Sequence, residues 1–268
     1  MVGRVVCSRA RRVVRRVVRF VVCSVALGAA VAPAWAQTLP PVPPVPQVTL
    51  SPLASLVQGE AQLGAGWRTA GLPQQRLPLT RYRAEVMDGR PAVRMEATAS
   101  YGNLVFDLAG QPAPQRLRWS WRMELPNPAV DLAHKTGDDA AAKVCLAFEL
   151  PLAQVPFIER QLLRMARSQT GEALPAATLC WVWGHAEAHE AMIANPYSRR
   201  LRVIVLRNQG DVPGRWFEED RDVAADWRRA FGEESAEMPP LAAVAVAADA
   251  DNTGARSVAH VAGLRFAP

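Results

Sequence analysis

The stretch RLRWSWRME, Arg116–Glu124, decides the fold. Leu117, Trp119, Trp121 and Met123 alternate with Arg116, Arg118, Ser120, Arg122 and Glu124. A strand turns successive side chains to opposite faces, so a period of two gives one wholly apolar face and one charged face. A helix would scatter the same residues around its axis. The two tryptophans share their face with Leu117 and Met123, so they read as core rather than as a platform for stacking sugars.

The same period recurs on both sides of this stretch. TRYRAEV (Thr80–Val86) and AVRMEA (Ala92–Ala97) alternate around MDGR, where Asp88-Gly89 supplies the left-handed turn of a hairpin. LRVIVL (Leu201–Leu206) and LAAVAVAAD (Leu241–Asp249) are more uniformly apolar strands. RSVAHVAGLRF (Arg256–Phe266) is expected to put Val258, His260, Ala262, Leu264 and Phe266 on one face. Two helices interrupt the strands. PFIERQLLRMARSQTG (Pro156–Gly171) places Ile158, Leu162 and Met165 on one stripe, expected to cover the outer face of a sheet. EEDRDVAADWRRAFG (Glu218–Gly232) has acids in its expected first turn, arginines in its last and Gly232 past its end, with Val223, Trp227 and Ala230 as the buried stripe. About ten strands without strand–helix alternation predict a mainly β chain, an antiparallel β-sandwich of jelly-roll type with two short peripheral helices.

Cys145 and Cys180 fit this pattern. In KVCLAFEL, Val144, Leu146 and Phe148 share one face and Cys145 the other; in TLCWVW, Leu179, Trp181 and Trp183 oppose Cys180. If both strands turn their bulky side inward, both sulfurs lie on the outer face of one sheet. Directly opposed antiparallel residues are close enough to be bridged, and closing that loop would stabilise the fold by about 3–4 kcal/mol. Two buried free thiols are the alternative.

Residues 1–36 read as a signal peptide. They hold seven arginines and no acid, then the apolar run FVVCSVALGAAVA (Phe20–Ala32), then Ala34-Trp35-Ala36 as a small-x-small cleavage site. The apolar run is shorter than the roughly 20 residues a membrane span needs, so no transmembrane anchor is expected after cleavage. The formal charge of +6 belongs to this leader; without it 24 basic side chains face 25 acidic ones, and no nucleic-acid partner is expected. Residues 37–58, opening QTLPPVPPVP, read as a stiff proline-rich spacer, which leaves 59–268 as one domain in a periplasmic or secreted protein.

The candidate residues for chemistry are acidic. ADADNTG (Ala248–Gly254) resembles the opening of a calcium loop, yet the twelfth position is His260 and a strand follows, so it is no EF-hand. Asp249, Asp251 and Asn252 remain open as an acidic turn, a calcium site or a catalytic element; no cofactor is required. Asp138-Asp139 leads into the Cys145 strand, where neighbours would point to opposite faces, so at most one of the pair is expected to join a site. Trp216, in an apparent loop, is the best candidate for an exposed aromatic.

KTGDDAAAKVCLAFEL (Lys135–Leu150), CWVWG (Cys180–Gly184), NPY (Asn195–Tyr197), RWFEEDRDVAADWRRAFG (Arg215–Gly232) and ADADNTG occur in this order across residues 59–268. As a set they resemble the uncharacterised bacterial domain-of-unknown-function family 3047. The resemblance implies an exported single-domain protein and carries no established activity. It singles out Lys135, Asp138, Asp139, Arg221, Asp222, Asp249, Asp251 and Asn252 as polar positions.

Together these features predict an exported, non-catalytic binding domain for a carbohydrate or cell-envelope polymer. Two other functions stay open: a glycan hydrolase using Asp249 or Asp251 with Asp138 or Asp139, and a structural partner in an envelope complex. An aromatic groove would favour binding, convergent carboxylates with a raised pKa would favour hydrolysis, and a flat apolar patch would favour a partner.

Overall fold

The computed structural model describes residues 49–171 and 173–267. The expected leader and residues 37–48 of the expected spacer lie outside the described residues. In chain order the strands are β1 (Ala54–Val57), β2 (Glu60–Leu63), β3 (Arg68–Ala70), β4 (Arg81–Met87), β5 (Arg90–Thr98), β6 (Asn103–Gln111) and β7 (Arg116–Leu125). They continue as β8 (Ala142–Phe148), β9 (Ala177–Trp183), β10 (Met192–Ala194), β11 (Leu201–Arg207), β12 (Trp216–Asp222), β13 (Leu241–Ala247) and β14 (Arg256–Ala267). Helix α1 (Phe157–Thr170) separates β8 from β9, and α2 (Val223–Phe231) follows β12 directly.

A seven-stranded sheet, ordered β10-β11-β9-β8-β13-β6-β3, stacks on a five-stranded sheet, ordered β12-β7-β14-β5-β4. Within both sheets the pairings are antiparallel except that of β9 with β11. The result is the β-sandwich of jelly-roll type that the alternation predicts. Its centre is a double tryptophan contact between the sheets. Trp119 and Trp121 of β7 meet Trp181 and Trp183 of β9 with ring centroids 5.7 and 5.8 Å apart. All four rings are buried, so the apolar face of RLRWSWRME is the core face. Asp88 (φ 50°) and Gly89 (φ 75°) make the expected hairpin turn between β4 and β5.

Cys145 lies directly opposite Cys180, and the two are bonded. They sit on the outer face of the seven-stranded sheet with Val182, Val203 and Val205, under a cover of Val130, Leu132 and Ala140.

Four expectations need correction. Packed structure begins before residue 59: Leu50 and Leu53 enter the main core, and β1 pairs with β2. The stretch Leu53–Val57 contains no proline, so nothing prevents it from joining a ladder. Second, the stripe Ile158, Leu162 and Met165 of α1 faces solvent; Leu163 is the buried residue of this helix, and the segment around Val130 and Leu132 covers the cysteines instead.

Third, Glu218–Asp222 belongs to β12 rather than to α2. On the charged face of β7 Asp220 pairs with both Arg116 and Arg118, and such cross-strand pairs favour the strand. The helix then starts at Val223 with Val223, Trp227 and Ala230 buried as expected. Fourth, β14 does not keep a single phase. A bulge between Ala262 and Arg265, at Gly263 with φ 63°, turns Leu264 into the core beside Ala259 and Val261, on the opposite side from His260.

Among the described residues no helix is long and apolar enough to cross a membrane.

Candidate functional site

On the outer face of the seven-stranded sheet, where β8 begins and β13 ends, lies a cleft of about 430 Å³. Lys143 of β8 and Val182 and Val203 from the neighbouring strands line it, together with Leu72 and Leu132. Asp138, Asp139, Asp249 and Asp251 converge on it from two loops more than a hundred residues apart.

The local backbone explains the convergence. Asp138 and Asp139 follow a single 3₁₀ turn, Lys135–Gly137, and precede the first residue of β8. Gly137 permits a close approach there, since a Cβ would lie 2.7 Å from the Asp131 amide nitrogen. Because the pair is not on a strand, the expectation that only one of them could join a site is overturned; both line the cleft. Asp139 is buried and ties the two acidic loops together. Its Oδ2 accepts from the Thr253 amide (2.8 Å) and hydroxyl (2.6 Å), and its Oδ1 accepts from the Asn252 amide at 3.2 Å. Asp249, also buried, accepts from the Ala140 amide at 2.6 Å and from the Lys143 ammonium.

Asp138 and Asp251 are less committed. Asp138 accepts one bond from the Asn195 side-chain amide. Asp251 Oδ1 is buried without a hydrogen-bond partner. Burial pushes the Asp138 carboxyl up to about 6. Burial does the same to Asp251, helped by the negative charges of Asp249 and Asp139, again to about 6. Burial pulls Lys143 down, but the Asp249 carboxylate outweighs it and holds the ammonium above the ordinary lysine range.

Tyr197 forms the exposed rim. Its hydroxyl donates to Asn252 Oδ1 at 2.6 Å, and the Lys135 ammonium lies 5.0 Å from its ring centroid. Tyr101 also lines the cleft, with the Lys143 ammonium 5.5 Å from its ring centroid. One carboxylate oxygen from each of Asp139, Asp249 and Asp251 lies within 4.8 Å of the other two, a spacing that fits a cation. Asn252, expected in that role, instead donates its side-chain amide to Asp139 Oδ1 and the Asp138 carbonyl, and its own oxygen is taken by Tyr197. Asp139 stands in its place.

The sequence candidates therefore divide. Lys135, Asp138, Asp139, Asp249, Asp251 and Asn252 gather at the cleft or its rim. Trp216, Arg221 and Asp222 lie on β12, at the edge of the other sheet, and are not among the residues lining the cleft. Trp216 is the first residue of that strand rather than a loop residue, and its indole donates to Asp88 Oδ2 at 3.1 Å. Arg221 grips buried Asp226 with bonds of 2.9 and 2.8 Å, and Asp222 caps α2 by accepting from the Ala225 amide. Each has a structural partner. Sequence reasoning did not place Tyr101, Lys143, Asn195 and Tyr197 in a site. NPY carried part of the family resemblance, and the shared outer face of Lys143 and Cys145 was visible, but neither feature indicates a cleft.

Several solved structures are similar in chain path. Endoglucanase cel12A from Rhodothermus marinus matches with a TM-score of 0.37 and 13% identity, covering 81% of this chain and 97% of that one. Endoglucanase 3 of family GH12 from Trichoderma harzianum matches with 0.40 and 7%, covering 82% and 96%. The xyloglucanase domain of NopAA from Sinorhizobium fredii, in complex with cellobiose, matches with 0.33 and 9%, covering 75% and 96%. No curated protein matches the sequence. A family model described as a protein of unknown function (DUF3047) matches residues 65–265, and the chain belongs to that family.

Proposed function

We propose that the acidic cleft binds a polyhydroxylated ligand, a glycan or another cell-envelope polymer, and that the domain holds this ligand rather than converting it. One observation carries the reading: Asp138 and Asp251 line the same cleft with little internal hydrogen bonding, while Asp139 and Asp249 are consumed in building it. Carboxylates, the Asn195 amide and the Tyr197 hydroxyl are the groups that exchange hydrogen bonds with sugar hydroxyls, and the valine and leucine wall suits the apolar face of a sugar ring. Calcium belongs to the same proposal. The acids outnumber the cationic Lys143, and Asp251 Oδ1 is the oxygen a cation would take first.

Hydrolysis is the second reading. Asp138 and Asp251 both lie near 6, the range in which one carboxyl can stay protonated as an acid while another is ionised. Export to an oxidising compartment completes the proposal. It is supported by the bonded Cys145–Cys180 pair and by the leader expected over residues 1–36. Sequencing the N-terminus of exported protein would check it; a terminus upstream of Gln37 would count against cleavage at Ala36.

Incubation with a panel of soluble envelope glycans separates the readings. Retention of a glycan without new reducing ends supports binding, and new reducing ends that vanish in Asp138→Asn or Asp251→Asn support hydrolysis. A protein that neither retains nor cleaves any of them removes both.

A further inference from the structure

The five-stranded sheet carries a second hollow, of about 420 Å³, lined by Arg81, Tyr82, Arg83, Arg94 and Glu96 of β4 and β5. Val93, Met95 and Ala97 enter the core, so Arg94 and Glu96 between them point to the outer face. The ladder sets Arg83 directly opposite Arg94, and Arg81 opposite Glu96. Like charges opposed in this way repel and weaken a sheet. The neighbouring glutamates are shared with other cations. Glu85 is held by His260 Nε2 at 2.7 Å and meets Arg83 at 3.4 Å. Glu96 is held by Arg256 at 2.6 and 3.0 Å and meets Arg94 at 3.3 Å. Arg83, 77% exposed, and Arg94 each commit one N–H to these contacts. Arg81 has no hydrogen bond or ion pair among the described residues.

We propose that this hollow binds a phosphate group, with Arg81, Arg83 and Arg94 as its donors. Guanidinium forks match phosphate oxygens through paired N–H bonds. A phosphate brings about two negative charges and three acceptor oxygens, where a carboxylate brings one charge and two oxygens. Three guanidinium groups with most of their N–H donors uncommitted, around one hollow, suit the former. A bound phosphate also supplies the negative charge that the opposed Arg83 and Arg94 lack between them. Glu96 lines the same hollow, but its carboxylate bonds Arg256 and Arg94 rather than Arg81. The acidic cleft lies on the outer face of the other sheet, so this site does not depend on it or on its ligand.

The test is calorimetric titration of the protein, as recovered from an exporting host, with inorganic phosphate, with glucose 6-phosphate and with acetate, at matched low ionic strength. The expected result is saturable phosphate binding about tenfold tighter than that of acetate, since charge and charge-assisted bonds are gained. Arg81→Gln/Arg83→Gln should weaken it by about tenfold or more, and added salt should weaken it in the parent. Both side chains are exposed, so the variant should melt near the parent's temperature. Arg81→Gln alone removes no internal bond and should still weaken binding, which keeps the test decisive if the double variant misfolds. Tighter binding of inorganic phosphate would name the free ion as ligand, and tighter binding of glucose 6-phosphate would name a sugar phosphate ester; either supports the site. No phosphate binding, acetate bound as tightly, or variants that bind like the parent would overturn the proposal.

Discussion

Lys143, on β8, and Asp249, just beyond β13, form a buried ion pair at the floor of the acidic cleft. Lys143 is paired across the ladder with Ala247, so Asp249 stands two residues further along on the same side. The pair fastens the sheet to the loop that carries Asp251. Removing one partner of a buried pair strands the other charge, so Lys143→Met or Asp249→Leu alone should lose about 3–5 kcal/mol in urea denaturation. The double variant should lose less than the sum of the two, because neither charge is then left alone. Strict additivity would mean that the pair is not coupled.

The two less committed carboxyls set a pH dependence. Asp138 and Asp251 are raised to about 6 in the folded protein, above the unfolded carboxylate value of about 3.9. A raised carboxyl contributes stability that is complete below its unfolded pKa and is lost as pH rises through its folded pKa. Stability should therefore rise on acidifying from pH 7 to pH 5, and Asp138→Asn/Asp251→Asn should flatten that rise. Glu85, Glu96 and Glu190 have lowered values and act the opposite way, but at lower pH. Urea midpoints of parent and double variant across this window decide the matter; identical slopes would refute it.

Calcium should raise the melting temperature at pH 7.5, because a ligand that binds only the native state stabilises it by about 2.7 kcal/mol at a hundred times its dissociation constant. The gain should shrink below about pH 6, where protons compete for Asp251, and should disappear in Asp251→Asn. An unchanged melting temperature in millimolar calcium would remove the cation from the account.

Arg221 should prove structural. It donates twice to buried Asp226, which also accepts from the Trp181 indole at 2.8 Å. Arg221→Ala should destabilise by about 3 kcal/mol, while glycan retention by the folded fraction stays as in the parent. Loss of retention at full stability would return Arg221 to the binding site.

The disulfide joins residues 35 apart in sequence, and opening a loop of that length should cost about 3–4 kcal/mol. Denaturation with and without reductant measures this, and Cys145→Ala/Cys180→Ala should match the reduced protein.

The sheets were legible because strand phase is local. The alternation in β7, the Asp88-Gly89 turn and the opposed phases of Cys145 and Cys180 each follow from a few adjacent residues. The ends of elements were less so. The acids of Glu218–Asp222 satisfy both a helix start and a strand, and only their arginine partners on other strands choose between these. Leu264 changed sides because one inserted residue at Gly263 shifts every later position. The site was partly legible. Asp138, Asp139, Asp249 and Asp251 stand out as acids, but their meeting depends on β8 and β13 being neighbours, a pairing between segments about a hundred residues apart. Asn195 and Tyr197 reach the same place from beyond β10, and no local pattern carries that information. Trp216, Arg221 and Asp222 fall outside the cleft, because polarity and apparent exposure in a sequence do not reveal a partner already in place.

The most direct measurement is amide chemical-shift mapping during titration with whichever envelope glycan the protein retains. The account predicts shifts at Asp138, Asn195, Tyr197, Asp251 and Asn252, and none at Trp216, Arg221 or Asp222. Shifts centred on β12, or none at the acidic cleft, would contradict it.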